Sequence, residues 1–259
     1  MAATDSLSNR RELQGEAGRA ADRNGNGNRD VEASTADPAC AQHHTGHSPN
    51  VVWQCSSLTR AERWGCLGHA GATIWFTGLP AAGKSTIASA VEERLVMEGR
   101  HAFLLDGDNL RHGLNGDLAF DEAARSENVR RTAHVARLLA ESGTLALVSL
   151  VSPYAQDREA AAALHAAVDL PFIEVFVDAP LELCELRDPK GLYARARAGQ
   201  LAGMTGVSAP YEDPSDPDLV LRSGEETVES AVERVLRALA PGPRRTPRGI
   251  QRHRLTGPL

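Results

Sequence analysis

A glycine-framed loop ending in lysine and serine is the chemically most telling stretch of this chain. Residues 78–86 read Gly-Leu-Pro-Ala-Ala-Gly-Lys-Ser-Thr, a full match to G-x-x-x-x-G-K-[ST]. In that pattern the glycines let the backbone turn until successive N–H groups, and the helix N-terminus behind them, converge on phosphate oxygens. Lys84 then supplies a point charge for β- and γ-phosphates, and Ser85 a hydroxyl for Mg²⁺. Further along, Asp106-Gly107-Asp108-Asn109 brings two acids close together, and Arg187, Lys190, Arg195 and Arg197 precede Gly199, Gly203 and Gly206. A phosphate cradle, a positioned acid and mobile cations are the parts that phosphoryl transfer needs, because that reaction depends on alignment and on neutralising charge that spreads over the transferred group.

Each of these groups needs an element to hold it. Residues 74–77 are apolar and predict a buried strand running into the loop; Ile87, Val91 and Leu95 recur at helical spacing behind it, with Gly99 as the stop. Residues 101–105 predict a second buried strand that delivers the two acids to its carboxyl end, where open α/β sheets bind ligands. Residues 122–142 predict a helix with Val129, Ala133, Ala136 and Leu139 or Ala140 inward, Arg125, Glu127, Asn128, Arg130 and Arg131 on the opposite face, and Gly143 as its stop. Strands follow at 144–151, 172–177 and 218–222. Between them come a helix at 155–168 and a helix start at Asp178 and Pro180. The basic, then glycine-rich residues 186–217 break this rhythm and predict a mobile lid. Thr59 heads a short capped helix, and Ser223-Gly224-Glu225-Glu226 reads as the capping box of a closing helix with Val228, Val232, Val235 and Leu239 inward. The fold class expected is α/β, a P-loop nucleoside triphosphate hydrolase-like parallel sheet flanked by helices, with right-handed crossovers and the lid.

Composition narrows the chemistry. With 28 basic and 34 acidic residues the net charge is -6, the wrong sign for gripping nucleic acid over a broad face. Cys40, Cys55, Cys66 and Cys184 form no C-x-x-C pair, which argues against a disulfide framework or structural zinc and suits a reducing cytoplasm. No apolar run reaches the ~18 residues a membrane span requires. Residues 1–48 are rich in Asn, Gly, Ala and charge and read as a disordered N-terminal extension, in which His43, His44 and His47 are solvated. Residues 49–240 form the P-loop kinase domain, and 241–259, with Pro241, Pro243, Arg244, Arg245, Arg248, Arg252 and Arg254, a disordered basic tail. No Asn-Lys-x-Asp is present to read guanine, and the match of Asp188-Pro189-Lys190-Gly191 to D-x-x-G is too short to carry weight. The chain is also short for a motor ATPase, which leaves a small-molecule kinase.

The sequence resembles the adenylylsulfate (APS) kinase family over about residues 50–240. The resemblance rests on Trp53 with Leu58-Thr59-Arg60, Trp75 to Leu79 before the loop, and Leu105-Asp106-Gly107-Asp108-Asn109-Leu110-Arg111-His112-Gly113-Leu114-Asn115. It continues through Glu127-Asn128-Val129-Arg130-Arg131, Ser152-Pro153-Tyr154, Asp157-Arg158, Asp188 to Tyr193, Gly203-Met204-Thr205-Gly206 and Pro210-Tyr211-Glu212. The resemblance implies transfer of the ATP γ-phosphoryl group to the 3′-hydroxyl of adenosine 5′-phosphosulfate, with Mg²⁺, in sulfate activation. It implies that Gly78, Ala81, Ala82, Gly83, Lys84, Ser85 and Thr86 bind the ATP phosphates, with Arg187 and Lys190 in the lid contributing to the nucleotide site. Ser85 and Asp106 would hold the metal. Lys84, Asp106, Asp108 and Ser152 would be catalytic, Asp108 by accepting or orienting the hydroxyl proton. Arg111, Phe120, Arg125, Asn128 and Met204 would join Asp108 in holding the phosphosulfate substrate, with Phe120 on its adenine. A homodimer is implied, and an ATP sulfurylase partner is left open.

Three positions depart from the family pattern: Pro80 stands where serine is usual, Ala124 where an acid precedes the arginine, and Met204 where a second aromatic closes over the adenine. A thioether packs on a ring with less defined geometry than an aromatic, so weaker or more adaptable substrate binding is expected. The competing readings are a P-loop kinase for another hydroxyl acceptor and an inactive domain that only senses sulfonucleotides.

Overall fold

The computed structural model describes residue 54 and residues 56–240. The expectations for residues 1–48, for 241–259 and for Trp53 lie outside the described residues. In chain order the elements are α1 (Arg60–Leu67), β1 (Ala72–Thr77), α2 (Lys84–Met97), β2 (Ala102–Asp106), α3 (Gly107–Leu110) and α4 (Glu122–Ser142). They continue with β3 (Leu145–Ser149), α5 (Ala155–Ala166), β4 (Phe172–Asp178), α6 (Leu181–Arg187), α7 (Leu192–Arg197), β5 (Leu219–Arg222) and α8 (Val228–Leu239).

The five strands form one sheet in the order β2-β3-β1-β4-β5, every pairing parallel. β1 lies at the centre, and all six of its residues are buried. Its alternation decides which face each side chain serves: Ile74 and Phe76 join the core beneath α2 and α8, while Trp75 joins the core beneath α4 and α5. Burying side chains of this size stabilises a fold by ~1.5–3 kcal/mol apiece, so the strand that feeds the loop is held from both faces.

Local signals explain most element ends. Thr59 and Glu62 form a reciprocal capping box at α1. Asp121 caps α4, and Gly143, at φ 104, ends it. Three expectations need correction. β2 is an edge strand, with only Leu105 buried, because its outer side has no further strand to pair with. The closing helix is capped by Thr227, whose hydroxyl accepts the Ser230 N–H; Ser223 spends its own hydroxyl elsewhere, and Glu226 accepts from Arg222 N and from the Arg234 guanidinium. Asn128 lies on the buried face of α4, not among the solvated charges.

Within residues 186–217, the segment expected to serve as the lid, several points are anchored. Asp188 caps α7 by accepting the Leu192 and Ala194 N–H groups at 2.8 and 3.0 Å. Tyr193 is buried and donates its hydroxyl to Pro80 O at 2.9 Å. Met204 and Thr205 are buried as well.

Candidate active site

The loop after β1 and the carboxyl ends of β2 and β5 border a cleft of about 790 Å³ lined by Gly83, Lys84, Ser85, Thr86, Asp106, Asp108, Arg187, Lys190 and Ser223 among others. Most of the chemically suggestive groups picked from the sequence meet in this cleft.

The phosphate loop is built for close backbone approach. Gly78 has φ 146, and a Cβ at that position would lie 2.5 Å from Val177 O; Gly83, at φ 104, turns the chain into α2. Only glycine meets both demands without strain. Lys84, the first residue of α2, is buried and donates from Nζ to Gly78 O at 2.9 Å and Leu79 O at 2.8 Å. Burial pushes its ammonium down to about 8, although Cys184, Asp106 and Asp108 each act to hold it up. A cation in that state binds phosphate strongly, since phosphate oxygens restore the solvation that burial removed.

Next to it, Ser85 Oγ donates to Asp106 Oδ2 at 2.6 Å and lies 3.1 Å from Ser149 Oγ. The other oxygen of Asp106 accepts the Asp108 N–H at 3.0 Å, which starts α3 and fixes where Asp108 leaves the backbone. Two hydroxyls and a carboxylate are an oxygen donor set that suits a hard cation such as Mg²⁺. The Asp108 carboxylate forms an ion pair with Lys190. Arg187 donates to Ser223 Oγ at 2.8 Å and reaches Ala81 O and Ala82 O at 3.4 Å, so it lies against the phosphate loop.

Two further cationic groups meet beside the loop that follows α3, Arg111 on that loop and Arg125 in the first turn of α4. The Arg111 guanidinium stands 4.0 Å from the centre of the Phe120 ring and donates to Leu118 O at 2.9 Å. Burial and the neighbouring Arg125 lower its pKa. Arg125 donates to Phe120 O at 2.8 Å, Thr205 Oγ1 at 2.8 Å and Gly203 O at 2.7 Å, which ties α4 to the segment around Met204. Asn128 Oδ1 accepts from Asn115 Nδ2 at 2.7 Å.

Two more of the expected residues are buried. Ser152 is buried: its hydroxyl donates to Thr77 Oγ1 at 2.9 Å and accepts from Trp75 Nε1 at 3.1 Å, while its carbonyl accepts from Arg158 at 2.7 Å. Its φ of 39 is unusual for a residue with a side chain, and this network holds it there. Met204 is 6% exposed and belongs to the larger hydrophobic core, and its carbonyl accepts from the Val207, Ser208 and Ala209 N–H groups.

Sequence reasoning passed over several participants. Ser149 completes the oxygen cluster at Ser85, Ser223 anchors Arg187, and Thr205 anchors Arg125. Tyr211 stands 2.9 Å from Thr77 Oγ1 and stacks on Phe176. Thr205 and Tyr211 stand within the stretches that resemble the family and Ser223 within the expected capping box, but no local pattern assigns any of the four these partners; the fold makes the contacts.

The comparisons with known proteins agree with this geometry. The adenylylsulphate kinase family model matches residues 70–222. The adenylyl-sulfate kinase of Penicillium chrysogenum is 48% identical over 196 residues, 73% of this chain and 93% of that protein. That of Aeromonas salmonicida is 47% identical over 193 residues, 74% of this chain and 97% of that protein. Among solved structures, the APS kinase of Mycobacterium tuberculosis in complex with AMPPNP and APS superposes with a TM-score of 0.64 at 50% identity, covering 66% of this chain and 98% of that one. The chain belongs to the adenylylsulfate kinase family and is an ATP-dependent kinase of that family.

Proposed function

We propose that the cleft transfers the γ-phosphoryl group of ATP to the 3′-hydroxyl of adenosine 5′-phosphosulfate, giving 3′-phosphoadenosine 5′-phosphosulfate and ADP. The observation that carries this reading is the hydrogen-bonded run from Ser85 through Asp106 to the Asp108 backbone, which sets the phosphate loop and the exposed, Lys190-paired carboxylate of Asp108 side by side. The M. tuberculosis relative, solved with an ATP analogue and APS together, supports the same pair of ligands for this chain.

In this mechanism the loop N–H groups and Lys84 hold the β- and γ-phosphates, and Lys84 exchanges its two loop carbonyls for phosphate oxygens. Ser85 and Asp106 would hold Mg²⁺, which when bound neutralises phosphate charge. Asp108 orients the acceptor hydroxyl and takes its proton as that oxygen bonds to γ-phosphorus and the bond to the bridging β,γ-oxygen breaks. Lys190, released from Asp108, moves its charge onto the phosphoryl oxygens, and Arg187 steadies the nucleotide against the loop. Catalysis is then alignment plus charge stabilisation. Arg111, Phe120, Arg125 and Asn128 hold the phosphosulfate. Arg125 takes up that role by giving up one of its present bonds to Gly203 or Thr205. Ser152 acts through the backbone it shapes, and Met204 as packing beneath the lid segment.

The proposal extends to a kinase domain over residues 49–240 acting as a cytoplasmic homodimer. Among the described residues, no helix is long and apolar enough to cross a membrane. Association with an ATP sulfurylase is tested by co-purification. For the reaction itself, ADP release is measured with each of ATP, adenosine 5′-phosphosulfate and Mg²⁺ omitted in turn. All three are expected to be required; steady turnover without the phosphosulfate would contradict the assignment.

A further inference from the structure

Asn115 is fully buried, yet it lies on the loop between α3 and α4, beside groups assigned to the phosphosulfate. Its Nδ2 donates to Asn128 Oδ1 at 2.7 Å and lies 3.5 Å from Thr132 Oγ1, while its own Oδ1 is buried without a partner. A buried acceptor left unpaired costs ~1–3 kcal/mol.

The direction of this contact follows from the hydrogen bonds around it. Thr132 donates its hydroxyl proton to Asn128 O at 2.7 Å, so it offers only lone pairs toward Asn115. The Asn115 group facing both Thr132 Oγ1 and Asn128 must therefore be its NH₂. Asn128 is then obliged to present its oxygen inward, and its NH₂ turns the other way. That nitrogen bonds no group among the described residues and is not among their sealed, unpaired atoms, so it is a donor facing accessible space. Without the inward donor, the Asn128 amide could rotate by half a turn and offer an acceptor instead, at little steric cost.

We infer that Asn115 is a positioning residue that fixes the Asn128 side-chain amide with its NH₂ outward, so that the acceptor pocket presents a hydrogen-bond donor to an oxygen or ring nitrogen of the phosphosulfate nucleotide. This rests on the reading that Asn128 touches that substrate. It also predicts an asymmetry: Asn115 matters to the acceptor and not to ATP, because its side chain bonds only α4, and its backbone only Leu110 at the end of α3 and Leu118 in its own loop.

The test is a cycle of Asn115→Ala, Asn128→Ala and the double variant, read by calorimetric affinity for adenosine 5′-phosphosulfate and for ATP, by KM and kcat, and by thermal melting. Asn115→Ala is expected to weaken phosphosulfate affinity and raise its KM about tenfold, the factor that ~1.4 kcal/mol represents, with ATP affinity changed less than about twofold. The double variant is expected to bind no more weakly than Asn128→Ala alone. Asn115→Asp, which lacks the donor, should match or exceed the alanine loss. The inference is overturned if the Asn115 and Asn128 effects simply add, if affinity for both nucleotides falls together with melting temperature, or if Asn128→Ala leaves phosphosulfate affinity unchanged. Because affinity is measured without turnover, an enzyme that binds the phosphosulfate but does not phosphorylate it would count against the proposed reaction while still supporting this role for Asn115.

Discussion

On the nucleotide side of the cleft the working groups are held by packing. Lys84 is 7% exposed, Gly78 lies against Val177 O, and the strand before them is buried along its whole length. On the acceptor side the working groups are held by charge. Asp108 and Lys190 have side chains 65% and 55% exposed and are paired with each other, and Arg125 and Arg111 are occupied with backbone carbonyls and an aromatic ring. The difference teaches what each half is for. The phosphate cradle has its backbone donors and its cation placed in advance, Lys84 alone trading its two loop carbonyls for phosphate, whereas Asp108, Lys190 and Arg125 must exchange one set of partners for another when substrate arrives. Exposed ion pairs contribute only ~0–1 kcal/mol, so they can be exchanged at little cost.

Substitutions on the two walls should therefore fail in different ways. Lys84→Met removes a buried cation with no substitute, and is expected to lower kcat/KM by about a thousandfold or more, as steady-state kinetics would show. Gly78→Ala forces a Cβ into a backbone oxygen at a φ that alanine resists; a loss of ~3 kcal/mol or more is expected in denaturant unfolding, together with loss of ATP binding. Met204→Phe should act on stability rather than on substrate affinity, costing ~1–3 kcal/mol by overpacking a filled core. Tighter phosphosulfate binding with unchanged stability would instead place the side chain over the substrate. Lys190→Ala should leave the melting temperature within about 2 °C while lowering kcat about tenfold or more, because the exposed pair stabilises little and the cation acts only during transfer.

Two titrations sharpen the same contrast. With its ammonium pushed down to about 8, Lys84 loses its proton in the free enzyme as pH rises through that value, whereas bound phosphate favours the charged form. ATP affinity measured by calorimetry should thus fall by up to about tenfold per pH unit above about 8. Away from the site, His165 is sealed between Thr73 Oγ1 and Ala161 O, each 2.8 Å away, and burial pushes its imidazole down to about 4. The neutral form is the folded one. Its contribution is whole above about 6.5 and is lost as pH falls from there toward 4, by no more than ~3 kcal/mol.

Much of this architecture is legible in the residues. Ile87, Val91 and Leu95 predict the helix behind the loop, Gly143 the end of α4, and Thr59 with Glu62 the cap of α1, because each of these signals is local. Where pattern and structure part, a tertiary partner decides the matter. Asn128 reads as part of a charged solvent face, but Asn115 reaches it from a separate loop. Ser223 reads as a helix cap, but Arg187 claims its hydroxyl. Residues 101–105 read as a buried strand, yet strand order, which no local pattern encodes, places them at the sheet edge. Ser152 resembles a site residue by its neighbours in sequence, whereas Trp75 and Thr77 draw its side chain inward.

The most direct measurement is a coupled ADP-release assay with MgATP, with and without adenosine 5′-phosphosulfate, on the wild-type chain and on Asp108→Asn. The expected result is ADP formation that depends on the phosphosulfate and falls by about a hundredfold or more in the variant, with ATP affinity retained. Wild-type turnover that ignores the phosphosulfate, or an Asp108→Asn enzyme as fast as wild type, would contradict the role of Asp108 as the carboxylate that takes the acceptor proton beside the phosphate loop.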